Sequence, residues 1–487
     1  MGEDSLSSSS SSSSAAAATS PHVLLIAFPG QGHVNPVLRL ARRLAAKGLL
    51  VTFTSTSDIG ARLLSSSSSD VSPLPNFRFD FLSDQPSGPL AALDDLMRHL
   101  ASAGPPSLAA LLRRQTVPVT CVVGSPFLPW ALDVADGLGI PAAVLWVQSC
   151  AVFSAYYHYH HRLAAFPLSD SDPPVSLPGL PPLSAADVPS FLHPSNPYKL
   201  LADTILASFG NLGKARWLLA NSFNELEHDA IAAFSSLRPL TPVGPLTDPF
   251  RGDLLTPADD CMSWLDAQER QSVAYVSVGS VVVLTADEMA EMAWGLRDSG
   301  RPFLWVVRQE SRGLLPEDFL EGLTTTEGDV GRRGFVVGWS PQDRVLSHPA
   351  VGCFLTHCGW NSTLEALSAG LPVIAFPQWG DQVTNAKFLV DVYGVGVRLP
   401  APVEREAVRR CVEAVMGAGP EVEGMRARAA KWKEVAAAAV AEGGSSDRNI
   451  QNFADELRRI VVSGTSETTS SNVCSGDNND TTEESIK

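Results

Sequence analysis

The sequence has little positive charge and no long apolar run, and both shortages exclude classes of protein. Its 487 residues include 36 Lys and Arg against 52 Asp and Glu, which gives a net charge of −16. Because nucleic acids and anionic membranes attract basic surfaces, neither is expected as a partner. No apolar stretch approaches the ~20 residues of a membrane-spanning helix, so no span is expected.

Cysteine is scarce, and its pattern does not suggest cross-linking. The chain has seven cysteines and no Cys-x-x-Cys motif, so a disulfide framework is not indicated and a reducing compartment fits. Cys353 and Cys358 are interpreted as small buried residues, not as metal ligands. Residues 1–20, rich in Ser and Ala, lack the basic start and apolar core of a secretory signal. With the acidic segment 463–487 they are predicted to be disordered, and a cytoplasmic location is expected.

The sequence also lacks the Gly-x-Gly-x-x-Gly fingerprint of dinucleotide-binding folds. The segment FPGQGHVNP (28–36) has Gly30 and Gly32 but Asn35 at the third position, which disfavours an NAD-dependent oxidoreductase. Asn35 is a good N-cap and Pro36 suits the first helical position, so the pattern predicts a helix that begins near Asn35. His33 is then expected just before this helix, where a histidine is more often structural than catalytic.

Short apolar runs alternate with helical patterns from residue 21 onward, which is typical of βα units around a parallel sheet. The strand candidates are segments 22–28, 51–55, 119–123 and 141–147 in the first half, and 273–278, 302–307, 334–339, 351–356 and 372–376 in the second. A turn-rich stretch without periodicity separates the two sets. The predicted fold is therefore α/β with two Rossmann-like domains. The predicted boundaries are a tail 1–20, a domain 21–246, a linker 247–262, a domain 263–446, a final helix 447–462 and a tail 463–487.

A polar cluster follows the predicted strand VGCFLT, in the segment HCGWNSTLE (357–365). Ligands bind at the carboxyl edge of a parallel sheet, and the N–H groups of a helix start attract anions. Asn361 or Ser362, helped by His357, is therefore a candidate for holding a phosphate. Ser362 and Glu365 also have the spacing of a capping box, so both have a purely structural interpretation as well.

Three further segments are expected at the same sheet edge. Ser280 follows the strand YVSVG and, with the first cluster, could hold the two phosphates of a diphosphate. Trp339 ends a strand, where its ring either stacks on a flat base or packs in the core. Asp381 and Gln382 follow the strand PVIAF, and they either grip sugar hydroxyls or form a solvated loop.

Residues 339–382, from WSPQDRVLSHPAVGCFLTHCGWNS to FPQWGDQ, resemble the 44-residue signature of plant family-1 UDP-glycosyltransferases, and the general resemblance covers about residues 21–461. It implies the two-domain fold called GT-B, in which the first domain binds the acceptor, the second binds UDP-glucose, and the final helix crosses back to the first domain. No metal or other cofactor is implied. The implied contacts are uracil for Trp339 and Ser340, ribose for Gln342 and Glu365, phosphates for Ser280, His357, Asn361 and Ser362, and sugar for Trp360, Asp381 and Gln382. Gln at position 382 is the type associated with UDP-glucose, whereas UDP-galactose enzymes usually have His there.

The same resemblance makes His33 the general base of a single displacement that inverts the anomeric carbon. Family members usually pair this histidine with an Asp in a stretch resembling YDxFLPW, but this chain reads GSPFLPW (124–130), with Ser125 at the Asp position. Ser125 can hydrogen-bond His33 but cannot stabilise an imidazolium by charge. Either another acidic residue pairs with His33 and Ser125 is a neutral variation, or the acceptor needs little deprotonation by His33.

A carboxylic acid acceptor fits the second alternative. Its pKa near ~4 leaves it ionised at neutral pH, whereas a phenol, near ~10, needs a base. Segments 145–167, 189–195 and 377–399 resemble the clade that forms 1-O-acylglucose esters of hydroxycinnamic, benzoic, gallic and indole carboxylic acids. The Tyr and His cluster of the first segment either lines the acceptor cleft or belongs to a half-buried helix.

The sequence thus predicts an inverting, UDP-glucose-dependent glucosyltransferase that forms β-glucose esters of small aromatic acids, such as hydroxycinnamate, benzoate or auxin. It is expected to act as a monomer. Two alternatives are kept. One is O-glucosylation of phenolic or hormone hydroxyls, and the other is a nucleotide-sugar binder without catalysis.

Overall fold

The computed structural model describes residues 20–66, 74–86, 88, 90, 92–247, 260–279, 284–324 and 333–471. Ser280 lies outside these ranges. So do residues 1–19 of the predicted first tail, residues 248–259 of the predicted linker and residues 472–487 of the predicted second tail. Within the described ranges, no helix is long and apolar enough to cross a bilayer.

The first α/β unit is built on seven parallel strands. They are β1 His22–Ile26, β2 Leu50–Thr54, β3 Phe77–Phe79, β4 Cys121–Gly124, β5 Ala142–Trp146, β6 Ala215–Ala220 and β7 Leu240–Pro242. The helices are α1 Gln31–Ala46, α2 Ser57–Ser66, α3 Leu93–Arg113, α4 Trp130–Gly137, α5 Cys150–His160, α6 Lys199–Asn211 and α7 His228–Phe234. The strand order is β3-β2-β1-β4-β5-β6-β7, so the order reverses between β1 and β4. The central strands β1, β4 and β5 are buried along their whole length because two core layers cover both faces of the sheet.

The second unit repeats this architecture with six parallel strands. They are β8 Val273–Ser277, β9 Phe303–Val306, β10 Gly334–Val337, β11 Val351–Thr356, β12 Val373–Ala375 and β13 Gly396–Arg398. The helices are α8 Asp260–Asp266, α9 Ala286–Asp298, α10 Glu317–Thr324, α11 Gln342–Leu346, α12 Trp360–Ala369, α13 Gln382–Lys387, α14 Arg405–Met416 and α15 Pro420–Val440. The order β10-β9-β8-β11-β12-β13 reverses between β8 and β11. Both reversals create crevices at the carboxyl ends of the strands, where ligands of such sheets bind.

The final helix, α16 Ser445–Ser471, packs against the first unit. Phe453 and Leu457 share a core layer with β1 and α1, and Glu456 accepts a 2.7 Å hydrogen bond from Nε1 of Trp217. The helix begins two residues before the predicted position 447. It also continues nine residues beyond the predicted end at 462, to Ser471. A helix that is nucleated on a packed surface propagates into polar sequence at little cost.

The sequence located nine of the thirteen strands in the described part of the chain and missed four. Three of these, β3, β7 and β13, have only three residues each and lie at sheet edges. The fourth, β6, places the exposed Arg216 next to Trp217, which breaks the apolar run. Part of the predicted linker is also helical, because α8 starts at Asp260.

Helix α1 begins at Gln31, with Gly30 as its N-cap, and not near Asn35 as predicted. Pro36 therefore lies inside the helix, where it has no N–H to donate to the carbonyl of Gly32 one turn earlier. That carbonyl accepts a 2.7 Å hydrogen bond from Nδ2 of Asn361 in the second unit instead. The first turn of α1 is thus fixed by a contact between the two units.

Candidate active site

The described residues enclose a cleft of about 390 Å³ between the two units. The first unit contributes the turn after β1 and the first turns of α1, with Phe127 after β4 and Gln148 after β5. The second contributes the segments that follow β8, β9, β10, β11 and β12. Of the residues predicted to form a site, the structure brings together His33, Trp339, Ser340, Gln342, His357, Trp360, Asn361, Ser362, Glu365, Asp381 and Gln382.

His33 lies in the first turn of α1 and not before the helix as predicted. Its ring packs edge-on against Phe28 at 5.2 Å and Phe127 at 4.7 Å between centroids. Nδ1 is buried and has no hydrogen-bond partner among the described residues. Burial lowers the pKa of His33 to about 4, so the imidazole is neutral at pH 7.

Ser125 is buried just after β4, but it does not hold His33. Its Oγ accepts a 3.4 Å hydrogen bond from the N–H of Phe127, which closes a local turn. The hydrogen bond between Ser125 and His33 that the sequence allowed is not observed, and within the described residues no acid bonds to Nδ1 of His33. The loop therefore presents an aromatic ring to His33 in place of a carboxylate.

His357, just after β11, occupies a slot between two glycines. A Cβ added to Gly279 would lie 2.8 Å from the His357 ring, and one added to Gly359 would lie 2.4 Å from it. Gly279 has φ of 85°, and Cys358 has φ of 64° although it carries a side chain. Such backbone strain concentrates at ligand sites. Burial lowers the pKa of His357 to about 4, so the ring is neutral at pH 7.

Helix α12 starts at Trp360 with Gly359 as its N-cap, and no side chain caps it. The capping-box interpretation of Ser362 and Glu365 is therefore wrong, because both residues lie inside the helix. They accept hydrogen bonds from Nε2 of Gln342 instead, at 3.0 Å and 2.7 Å. The first turn of α12 thus leaves its N–H groups and its positive end facing the cleft.

Tyr275, in the interior of β8, extends this polar network. Its hydroxyl lies 2.9 Å from Oγ of Ser340 and donates a 3.1 Å hydrogen bond to Oε1 of Gln342. Trp339 is half-buried beside them and lines the cleft, with its Nε1 buried and without a partner in the described part of the chain. This position favours stacking of Trp339 on a ligand over packing in the core.

Asp381 and Gln382 are buried at the start of α13, so the solvated-loop interpretation is wrong. Oε1 of Gln382 accepts hydrogen bonds from the N–H groups of Gln378 and Trp379, at 2.9 Å and 3.3 Å, which leaves Nε2 to donate to a ligand. Asp381 accepts from Nδ2 of Asn385 at 2.7 Å. Burial raises the pKa of Asp381 to about 6, so its carboxyl is mostly ionised at pH 7.

Trp360 joins the two units. Its ring is buried, and Nε1 donates a 2.6 Å hydrogen bond to the carbonyl of Asn221, which follows β6. The indole N–H is therefore engaged in an internal contact, and a sugar would meet the ring edge or the helix backbone here.

The acceptor side of the cleft is apolar and aromatic. The residues that form it are Phe28, Leu93, Leu96, Phe127, Phe191, Leu201 and Trp379. Of the Tyr and His segment, only Val147 and Gln148 reach the cleft. Tyr156 is fully buried against Trp146 and Phe209, whereas Tyr159 is 38% exposed. The cluster therefore belongs to a half-buried helix, the second of the two interpretations, and does not line the cleft.

Sequence reasoning missed Arg39, Gln148 and Tyr275, which all line the cleft. Gln148 follows the predicted strand 141–147, so its position at the carboxyl edge of the sheet was available as a signal. Tyr275 lies inside an apolar strand and Arg39 inside a helix, and neither position distinguishes a ligand contact from ordinary packing.

Comparison with known proteins identifies the family. The family model described as "UDP-glucoronosyl and UDP-glucosyl transferase" matches residues 253–417. A gallate 1-β-glucosyltransferase of Punica granatum is 47% identical over 472 residues, which cover 91% of this chain and 89% of the relative. The chain belongs to the UDP-glycosyltransferase family. A cinnamate β-D-glucosyltransferase of Fragaria ananassa is 44% identical over 473 residues, covering 91% of this chain and 83% of the relative.

Solved structures of UDP-glycosyltransferases have the same architecture. The crystal structure of Os79 from O. sativa in complex with UDP superposes with a TM-score of 0.79 at 34% identity, covering 89% of this chain and 100% of that chain. The two parallel-sheet units are therefore a GT-B fold, as predicted, and the protein is a UDP-glycosyltransferase. The oxidoreductase alternative and the binder without catalysis are both excluded by this membership.

Proposed function

We propose that this UDP-glycosyltransferase moves glucose from UDP-glucose to the carboxylate of a small aromatic acid, with inversion, and gives a β-glucose ester and UDP. The observation that carries the acceptor class is the surroundings of His33, whose buried Nδ1 meets no acid among the described residues. The names of the gallate and cinnamate glucosyltransferase relatives support the same class.

The low basicity of His33 favours an acceptor that is already ionised. With a pKa of about 4, its imidazole is a weak base for a phenol of pKa ~10. An aromatic carboxylic acid has lost its proton at pH 7 and needs no proton transfer. The neutral ring of His33 then contributes a hydrogen bond and an orientation, and Phe127 beside it offers an edge for the aromatic acceptor to pack on.

The reaction is a single displacement at the anomeric carbon. A carboxylate oxygen of the acceptor forms the new bond to C1 of glucose while the bond from C1 to the diphosphate oxygen breaks. The electron pair leaves with UDP, and its charge is stabilised by the positive end of α12 together with Asn361, Ser362 and His357. No proton has to be moved when the acceptor is an ionised acid.

The donor is proposed to lie along the second unit. Trp339 stacks on uracil, which Ser340 also contacts, and Gln342 with Glu365 meets the ribose. Nε2 of Gln382, Asp381 and Trp360 contact glucose. This assignment is supported by the arrangement of these residues along one wall of the cleft and by the paired contacts of Gln342 with Ser362 and Glu365.

The test is a panel of benzoic, cinnamic and indole acids, each matched with the phenol or methyl ester of the same ring, incubated with UDP-glucose. Released UDP measures turnover, and mild alkali separates the products, because glucose esters are cleaved and phenolic glucosides survive. Turnover of the acids to alkali-labile products is expected. Preferential turnover of phenols would instead support O-glucosylation.

We further propose that the enzyme acts as a cytoplasmic monomer. The six cysteines in the described ranges are all buried and free, which suits a reducing compartment. Gel filtration with light scattering tests the oligomeric state, and a fluorescent fusion tests the location.

A further inference from the structure

Each of the two carboxylates assigned to sugars is held by a side chain from the opposite unit. Gln148, after β5, donates from Nε2 to Oδ1 of Asp381 at 3.1 Å. Arg39, on α1, places Nη1 3.8 Å from Oε1 of Glu365. The acceptor-binding unit therefore reaches across the cleft at both the glucose end and the ribose end of the donor site.

Both reaching side chains are buried and incompletely satisfied. Arg39 is 6% exposed and Gln148 is 8% exposed. Nη1 of Arg39 also donates to the carbonyl of Leu246 at 2.9 Å, but its Nε has no partner among the described residues, and neither has Oε1 of Gln148. Burying unpaired polar atoms costs free energy, so packing alone gives no reason for these two residue types here.

We propose that Arg39 and Gln148 are positioning residues that orient the two sugar-binding carboxylates across the cleft, Glu365 for the ribose and Asp381 for the glucose. The inference rests on the proposed function, because it assumes those roles for Glu365 and Asp381. It adds that the donor site is complete only when both units are in contact. A carboxylate that binds two hydroxyls must be held in one orientation. Gln148 fixes Oδ1 of Asp381 by a hydrogen bond, and the positive charge of Arg39 attracts Oε1 of Glu365.

The two residues make different predictions, because UDP contains the ribose but not the glucose. Gln148→Leu should weaken binding of UDP-glucose about tenfold, as expected for a lost hydrogen bond to a charged group, and leave UDP binding within about twofold of wild type. Arg39→Met should weaken UDP and UDP-glucose by the same factor. Arg39→Lys keeps a cation near Glu365 and should recover part of the affinity.

The experiment measures the Kd of UDP and of UDP-glucose by calorimetry without acceptor, and the melting temperature of each variant. Arg113→Met, at the exposed end of α3, is the surface control. Selective loss of UDP-glucose binding in Gln148→Leu, with equal losses in Arg39→Met, supports the proposal. Equal losses of both ligands in Gln148→Leu, unchanged binding in either variant, or no recovery in Arg39→Lys while the protein stays folded would overturn it. Failure of the wild type to glucosylate any acid, with these binding patterns intact, would overturn the acceptor assignment and not this inference.

Discussion

Asn361 of the second unit donates a 2.7 Å hydrogen bond to the carbonyl of Gly32 in the first. Gly32 immediately precedes His33, and its carbonyl is available because Pro36 has no N–H to satisfy it. Asn361, in the first turn of the proposed phosphate-binding helix, thus also fixes the turn that carries the proposed acceptor-side histidine. The Asn361 amide therefore links the helix proposed to bind phosphate to the turn that carries His33.

Substitution of Asn361 separates its two roles. Asn361→Ala removes the contact with Gly32 and a donor to the phosphates, so UDP affinity should fall about tenfold, or ~1.4 kcal/mol. Asn361→Asp also loses the donor but adds a negative charge beside the diphosphate, so its loss should be larger, about a hundredfold. Calorimetric titration with UDP measures both. Equal affinities in the two variants would show that Asn361 does not face the phosphates.

Ser362→Ala tests the helix start against the donor site. Ser362 does not cap α12, and its Oγ accepts from Gln342. Loss of this contact should lower UDP affinity about fivefold, the value of one neutral hydrogen bond, with little change in melting temperature. The matched control is Thr285→Ala, because Thr285 forms a true capping box with Glu288 on α9.

The Thr285→Ala control should destabilise the fold by about 1 kcal/mol without changing UDP affinity. If Ser362→Ala lowers the melting temperature and leaves the UDP affinity unchanged, the role of Ser362 is purely structural.

Donor choice should depend on Gln382. Its Oε1 is occupied by two backbone N–H groups, so only Nε2 remains to read the hydroxyls of the sugar. A buried site matched to one hydroxyl pattern penalises a mismatch. UDP-glucose should therefore give a higher kcat/KM than UDP-galactose, and Gln382→His should narrow the gap. Equal use of both donors by the wild type would contradict this prediction.

Asp381 should give the enzyme an acidic pH limit. Its raised pKa of about 6 means that the carboxylate is lost as pH falls through that value, and with it an acceptor for glucose hydroxyls. The titratable neighbours that sense its charge, Tyr156 and Cys358, have raised pKa values because of burial and stay neutral throughout. We expect kcat/KM for UDP-glucose to decrease as the pH is lowered through about 6. In Asp381→Asn, this acidic decrease in the pH profile should be absent.

The free energy of unfolding should depend on pH differently from the activity. Because the folded pKa of Asp381 exceeds the unfolded value of ~3.9, this carboxyl favours the folded state most at low pH, and the contribution is lost as pH rises towards 6. His33 and His357 act in the opposite direction, since their lowered pKa values make folding less favourable as pH falls from ~6.5 towards 4. Melting temperatures at each pH therefore distinguish acid unfolding from loss of the Asp381 carboxylate.

Sequence patterns predicted the strands and helices whose hydrophobic periodicity is unbroken. They failed where the start of a helix involves a contact with a residue distant in the sequence. The strand VGCFLT and the polar groups after it were identifiable because sheet edges bind ligands. The start of α1 was not, because Pro36 lies inside the helix and the carbonyl of Gly32, to which Pro36 cannot donate, accepts from Asn361 of the other unit. The start of α12 was also misplaced, because the helix begins at Trp360 with Gly359 as its N-cap, and the hydroxyl of Ser362 accepts from Gln342 instead of capping the helix. Both errors concern residues that the cleft uses.

The missing carboxylate at position 125 gives the last prediction. Ser125 is buried beside Phe127, whose ring touches His33, so a larger acidic side chain here would lie close to the imidazole. Ser125→Asp should raise the pKa of His33 and favour the imidazolium, which helps a phenol whose proton must leave. For an ionised acid the added charge is of no use and repels the substrate. The isosteric control is Ser125→Asn, which adds the bulk without the charge.

The measurement is the ratio of kcat/KM for a hydroxybenzoate ester, which offers only its phenol, to kcat/KM for benzoic acid. We expect this ratio to rise about tenfold or more in Ser125→Asp, since general-base assistance contributes ~10²-fold or more when the base is effective. It should stay near the wild-type value in Ser125→Asn. A wild type that already prefers the phenol, or a ratio that falls in the aspartate variant, would show that His33 is an effective base without a carboxylate partner. In that case the lack of an acid beside His33 would not distinguish carboxylic acids from phenols. The acceptor preference would then depend on the aromatic wall formed by Phe28, Phe127 and Trp379.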